Sequence, residues 1–163
     1  MTTPLIILCL LTMPWLLARF TGRSQETMQT AGVLGLTLVF CFTGVGHFIE
    51  TKPMAEMIPP WLPGRVAAVY VTGALEILLA LLALKRELRS RVGWVLLIML
   101  ILLLPVNIYA AIERVPMGGH AWGPVYLAIR IPLQLVLMAW TYWFAVRDIG
   151  ESRPAGPKSE SRS

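Results

Sequence analysis

The chain has 163 residues, of which 56% are hydrophobic and only 14% are charged. In soluble domains the apolar and charged fractions are closer to balance, so this composition excludes an ordinary water-soluble protein and indicates one that lies in a lipid bilayer. The formal charge of +5 would suit a nucleic-acid partner. We predict no such partner, because the basic residues lie at the ends of apolar segments rather than along one face.

The first apolar segment lies within residues 1–24 and has no charged residue before Arg19. It is short and contains Pro4 and Pro14, so it could span the membrane, lie at its surface or serve as a signal peptide. A cleaved signal has basic residues before its apolar run, whereas Arg19 and Arg23 follow this one. The pattern favours an uncleaved additional transmembrane helix with its N-terminus outside.

Four longer apolar segments follow, each near the ~20 residues that a spanning helix needs. They are residues 31–48, 66–84, 92–112 and 125–146. We therefore predict an all-α protein with a four-helix transmembrane bundle over residues 31–147, to which the N-terminal helix is an addition. Residues 148–163 combine serine, proline, glycine and charge with nothing to bury, which predicts a disordered tail.

Basic residues concentrate in alternate connections. One basic region, Arg19 and Arg23, precedes the apolar segment 31–48. A second follows the segment 66–84 and contains Lys85, Arg86, Arg89 and Arg91. The third follows the last apolar segment and contains Arg147, Arg153, Lys158 and Arg162. Cytoplasmic loops carry an excess of Lys and Arg, so these regions and the C-terminus are predicted to be cytoplasmic. The connections 47–65 and 113–124 should face outward. We expect a multi-pass protein of the cytoplasmic membrane of a prokaryote.

Two charged residues, Glu76 and Arg130, lie inside segments apolar enough to cross a bilayer. A charge in the hydrocarbon layer costs several kcal/mol unless it is paired or faces a wet cavity, so such residues indicate a functional site. We expect Glu76 and Arg130 to face one another or to share a bridging group. A structural ion pair that only fixes the helix register is an equal alternative.

Further polar residues fall in the same half of the bilayer. From the helical rise, Glu76 and Gln134 lie near mid-membrane, and Asn107 and Arg130 lie about 8 Å below the outer surface, with His47 at the end of its helix. We predict that these five residues line one outward-opening polar cavity. His47, His120 and Trp122 would form its mouth. Asn107 and Gln134 are alternatively hydrogen-bonding links between helices.

The sequence has few candidate metal ligands and no closely spaced pair of cysteines. His47 and Glu50 are three residues apart, but two ligands make a poor site and two histidines are too few for a multi-histidine centre, so we predict no metal. Cys9 and Cys41 are read as small buried apolar residues, because no Cys-x-x-Cys pair is present.

Five short motifs share an order and spacing that resembles the DoxX-like group of small membrane proteins, over about residues 31–146. They are Gly44-Val-Gly-His47-Phe48, Met57-Ile-Pro-Pro-Trp-Leu-Pro63, Gly73-Ala-Leu-Glu76, Pro105-Val-Asn107-Ile-Tyr109 and Arg130-Ile-Pro132-Leu-Gln134. The resemblance implies a four-helix transmembrane bundle that serves as a small membrane subunit of oxidoreductase systems, including thiosulfate:quinone oxidoreduction and thiol and superoxide handling. It also implies one set of ligand-binding candidates: His47, Glu76, Asn107, Arg130 and Gln134.

Three functions remain open. In the first, the chain is a small membrane subunit of a quinone-linked oxidoreductase system with redox proteins as its partners. The cavity then holds a quinone headgroup, and Glu76 or His47 handles the protons of the quinone. In the second, it is a non-enzymatic scaffold or assembly factor whose polar network is structural. A transporter for a small solute ranks lower, since the chain shows no inverted repeat.

Overall fold

The computed structural model describes residues 2–117 and 119–147, which are helical with short connections and contain no β-strand. Six α-helices are present in this part of the chain: α1 (Thr2–Phe20), α2 (Gln25–Ile49), α3 (Thr51–Glu56), α4 (Arg65–Ala83), α5 (Arg89–Ile112) and α6 (Leu127–Thr141). A 3-10 helix, His120–Tyr126, precedes α6, and a π-helical turn, Tyr142–Val146, follows it. The predicted all-α class is confirmed. The predicted tail, residues 148–163, lies outside the described residues.

Five of these helical stretches are long and apolar enough to cross a membrane, with mean hydropathies from 1.4 to 2.7. They are α1, α2, α4, α5 and the continuous stretch His120–Val146. Their outer faces expose large apolar side chains such as Leu102, Val71 and Leu5, which in water would be an aggregation hazard and in lipid are ordinary. The chain is therefore a multi-pass membrane protein, and α1 has the length and composition of a spanning helix.

The connection between α1 and α2 is short enough to make the two helices antiparallel neighbours. Gly22 adopts a φ of +62°, a left-handed conformation that glycine reaches without strain. The Ser24 side chain then accepts a hydrogen bond from the backbone N–H of Thr27 and caps the start of α2. The chain thus turns back on itself at once, and α1 packs along α2.

Helix α2 is the centre of the bundle, with α1 on one side and α4 on the other. A Cβ added at Gly35 would lie 2.1 Å from the Leu11 carbonyl oxygen, so α1 and α2 approach as closely as their backbones allow. Helix α5 packs against α4, α6 and the π-helical turn. Trp140 joins α6 to α2 by donating a 3.0 Å hydrogen bond to the Gly32 carbonyl.

The two connections predicted to face outward contain helical turns that the sequence pattern did not predict. Helix α3 fills part of the first connection and packs on α4. The 3-10 helix fills the end of the second, and Gly123 within it has a φ of +71° that breaks the helical path. These turns bring His120 close to the start of α6, which matters for the site described next.

Candidate functional site

Two glycines bring α2 and α4 close together beside the buried carboxyl group. A Cβ added at Gly73 would lie 2.5 Å from the His47 Cβ, and one added at Gly44 would lie 3.0 Å from the Gly73 carbonyl oxygen. Small residues allow membrane helices to approach in this way. Gly44 is three residues before His47 and Gly73 is three before Glu76, so each glycine shares a helix face with the polar residue it positions.

Glu76 is 3% exposed and its carboxyl group has two side-chain partners, both on α2. The Thr43 hydroxyl donates to Oε2 at 2.6 Å. The His47 Nε2 lies 3.5 Å from Oε1. A carboxyl group inside a membrane bundle is thus held by a hydroxyl donor and an imidazole, which are the kinds of partner that lower the cost of its burial.

The other nitrogen of His47 contacts a backbone carbonyl of α4. His47 Nδ1 lies 3.0 Å from the Val69 carbonyl oxygen, which can only accept, so Nδ1 carries a hydrogen. The nearby Thr72 hydroxyl, 3.1 Å from Nδ1, also lies 2.8 Å from the Ala68 carbonyl. With the hydrogen on Nδ1 directed at Val69, Nε2 is the ring nitrogen that faces the Glu76 carboxyl group.

A second polar cluster links α5 to α6. Asn107 Nδ2 donates to Gln134 Oε1 at 3.3 Å and to the Leu103 carbonyl at 3.0 Å. Arg130 Nε donates to Asn107 Oδ1 at 3.1 Å. The Gln134 amide donates to the Leu100 carbonyl. Asn107 is thus the hub, and its oxygen orients the Arg130 guanidinium.

The contacts of the five predicted residues therefore fall into two groups, and Glu76 and Arg130 form no direct ion pair within 4.0 Å; that the two share a bridging group stays a prediction. Within residues 2–117 and 119–147, the ion pairs closer than 4.0 Å are His47 with Glu76 and Arg86 with Glu26. The close approach of α2 and α4 gives Glu76 its partners from α2, while Arg130 Nε donates to Asn107 on α5. That all five line one outward-opening cavity stays a prediction.

Of the residues placed at the mouth of that cavity, Trp122 is exposed but His120 is not. His120 is 3% exposed, its Nδ1 lies 2.7 Å from the Met117 carbonyl oxygen, and its ring packs edge-on against Tyr126. Sequence reasoning also missed Thr43. Its position four residues before His47 was the available signal, since that spacing puts both side chains on one helix face.

No group of three or more His, Cys, Asp or Glu side chains in the described part of the chain is arranged to hold a metal ion. The two cysteines are free thiols. Cys41 is half-buried, but Cys9, which was expected to be buried, is exposed.

An apolar cavity of about 420 Å³ lies between α1 and α2. Cys9, Met13 and Leu38 are among its lining residues, and none of the five candidate residues contributes to it. Such a groove suits a hydrocarbon chain rather than a polar headgroup, so it is distinct from the polar clusters.

Comparison with known proteins adds a family but no described activity. No curated protein and no solved structure matches the chain. One family model matches residues 36–145, which begin within α2 and end in the π-helical turn, and so include both polar clusters. By this match the chain belongs to the family described as a domain of unknown function, DUF8561.

Proposed function

We propose that the chain is a DoxX-like membrane subunit of a quinone-linked oxidoreductase system, in which the interior polar groups bind a quinone headgroup. The observation that carries the proposal is the His47–Glu76 pair. A half-buried imidazole whose Nε2 lies 3.5 Å from an oxygen of a buried carboxyl group has the groups needed to pass a proton to a ligand and regain it.

Reduction of a quinone requires a source of protons, which the His47–Glu76 pair provides in this proposal. Conversion of a quinone to a quinol, its hydroquinone form, takes two electrons and two protons. In this proposal a partner redox protein supplies the electrons, because the chain shows no cofactor-binding motif of its own. The His47–Glu76 pair hands one proton to one quinone oxygen and is then reprotonated from water at the membrane surface, and the second proton reaches the other quinone oxygen from the same water.

The second cluster supplies hydrogen-bond donors. In the described part of the chain, the only side-chain hydrogen bond of Arg130 runs from Nε to Asn107. Its terminal NH₂ groups remain able to donate to a quinone carbonyl oxygen. A planar guanidinium fixed at Nε is oriented before the ligand arrives, which lowers the entropy cost of binding.

The charge pattern supports the finer topology as part of the same proposal. We place the Lys85 to Arg91 loop and the C-terminus in the cytoplasm of a prokaryote and the 3-10 helix on the outer side of its cytoplasmic membrane. The quinone site then lies in the outer half of the bilayer.

A matched pair of threonines tests the proposal. Thr43 bonds to Glu76, whereas Thr37 lies on the same helix and donates a 3.1 Å hydrogen bond to the Ala80 carbonyl of α4. Both Thr→Val variants lose one hydrogen bond between α2 and α4, but only Thr43→Val alters the carboxyl pair. The measurement is the rise in melting temperature that a short-chain ubiquinone or menaquinone analogue produces.

We expect a rise for the native protein and for Thr37→Val, and a smaller rise for Thr43→Val. Equal rises in the two variants would show that the His47–Glu76 pair takes no part in quinone binding. No rise in any of them would contradict quinone binding.

A non-enzymatic scaffold is the second candidate, and one observation favours it. Asn107 and Gln134 bond to each other and to backbone carbonyls of α5, so much of their hydrogen-bonding capacity is used inside the bundle. In a scaffold, variants at these residues would lower stability, and no quinone would shift the melting temperature.

A further inference from the structure

His120 carries a buried nitrogen that the fold does not satisfy. Its side chain is 3% exposed, and its Nε2 has no hydrogen-bond partner among the described residues. Burying a polar atom without a partner costs free energy, and native proteins show few such atoms, so each one calls for an explanation.

The bond at the other ring nitrogen shows what this atom can accept. His120 Nδ1 lies 2.7 Å from the Met117 carbonyl oxygen, which can only accept, so Nδ1 carries the hydrogen. In the neutral ring Nε2 is therefore a hydrogen-bond acceptor. A ligand that satisfies it must present a donor, and a carbonyl oxygen does not.

Arg130 is the candidate donor, and Tyr126 links it to His120. Tyr126 packs edge-on against the His120 ring with 4.9 Å between ring centroids. Arg130 follows Tyr126 by four residues, one helical turn along the start of α6, so the two side chains share a helix face. Its guanidinium is held at Nε by Asn107. His120 and Arg130 are thus both neighbours of Tyr126, the first by ring contact and the second by helical spacing.

A hydroxyl group matches this arrangement, because it donates one hydrogen bond and accepts others. We propose that His120 Nε2 accepts a hydrogen bond from the hydroxyl of a bound quinol while Arg130 donates to the same oxygen. This site would hold the reduced form of the ligand in preference to the quinone, whose carbonyl oxygen leaves Nε2 unsatisfied. The inference rests on the proposed quinone function and specifies which form of the ligand is bound.

The 3-10 helix that carries His120 also has exposed side chains that suit the headgroup region of a membrane. The 3-10 helix that carries His120 exposes Trp122 and Val125 at 60% and 74%. Tryptophan at a helix end is typical of the headgroup region of a membrane. A quinol ring could enter there while its hydrocarbon tail stays in lipid.

The test compares the two redox forms on the purified full-length protein. Melting temperatures are measured at pH 8 with a short-chain ubiquinone analogue, either oxidised or kept fully reduced under nitrogen. We expect the reduced form to reach half of its maximal shift at a concentration roughly ten-fold lower than the oxidised form, because a site built to bond a hydroxyl discriminates against an analogue that lacks it.

Two variants remove the acceptor at the position of Nε2. His120→Phe keeps a ring against Tyr126, and His120→Asn keeps an amide donor for the Met117 carbonyl on a side chain too short to reach the Nε2 position. Both should lose the preference for the reduced form, whereas Trp61→Phe, at an exposed position between α3 and α4, should keep it. If either His120 variant fails to fold, the other variant and the native titration still decide the matter.

The outcomes separate the two proposals. Equal affinity for the two forms in the native protein, or a preference that survives in a folded His120 variant, would overturn this inference and leave quinone binding intact. If neither form shifts the melting temperature, the proposed function fails and this inference fails with it.

Discussion

Replacing His47 and Glu76 by leucine, singly and together, tests the pairing that the structure shows in the membrane interior. His47→Leu leaves a buried carboxyl group with Thr43 as its remaining side-chain partner. Glu76→Leu leaves the His47 Nε2 without its partner 3.5 Å away. Each single variant leaves one polar atom of the pair without its partner, whereas the double variant removes both groups and puts apolar side chains of similar size in their place.

The expected magnitudes follow from these contacts. An unsatisfied buried polar group costs about 1–3 kcal/mol, so each single variant should lose about 2 kcal/mol. Replacing both members of a buried pair by apolar residues is often close to neutral. The double variant should therefore lose no more than about 2–3 kcal/mol, which is a coupling of about 1–2 kcal/mol and near the upper end for polar contacts between membrane helices.

The assay is reversible unfolding in mixed lipid–detergent micelles with increasing denaturing detergent. A second cycle with Glu76→Leu and Arg130→Leu is the control, since these two residues form no ion pair within 4.0 Å in the described part of the chain. We expect its coupling to be smaller. Losses for His47 and Glu76 that add to within about 0.5 kcal/mol would refute the pairing.

Two further predictions concern packing and topology. Gly35→Ala should destabilise the protein by about 1–3 kcal/mol through overpacking, because the new methyl group would lie 2.1 Å from the Leu11 carbonyl oxygen. The control is Gly46→Ala, whose methyl group would meet only the flexible Met54 side chain at 3.7 Å, and this variant should be neutral. Equal effects in unfolding titrations would contradict the close approach of α1 and α2. A cysteine placed at Lys85 should be protected from an impermeant thiol reagent in intact cells, and one placed at Trp61 should be labelled, in a background without Cys9 and Cys41. The reverse pattern would invert the proposed topology.

The sequence predicted the helices well because their signal is local. About twenty apolar residues between charged connections are enough to indicate a spanning helix, and the bounds of α2, α4 and α5 enclose or nearly enclose the predicted segments. The burial of Glu76, Asn107 and Gln134 was also predictable, since each interrupts an apolar run.

Pairing between helices was not predictable in the same way. Helical spacing shows which residues share a face, but the partner of that face depends on how each helix is rotated and which neighbour it meets. Glu76 pairs with His47 rather than Arg130 because Gly44 and Gly73 bring α2 against α4 at that level. The glycines were visible in the motifs, but their spacing does not name the opposite helix.

The burial of His120 was not predictable for a related reason. A glycine-rich loop containing a histidine and a tryptophan is expected to lie at the surface, and Trp122 does so. His120 is buried because the 3-10 helix turns its ring onto Tyr126. Such a turn depends on tertiary packing, which a pattern of residue types does not record.

Photoaffinity labelling in native membranes tests the central claim, that the polar clusters bind a quinone headgroup. A short-chain ubiquinone analogue with a photoreactive group on its ring would be activated with and without excess unlabelled ubiquinone, and the modified residues would be mapped by mass spectrometry. We predict competed labelling on α2 and α4 near His47 and Glu76 and on the stretch from His120 to Gln134. Labelling that is not competed, or that maps only to the apolar groove near Met13 and Leu38, would contradict the claim.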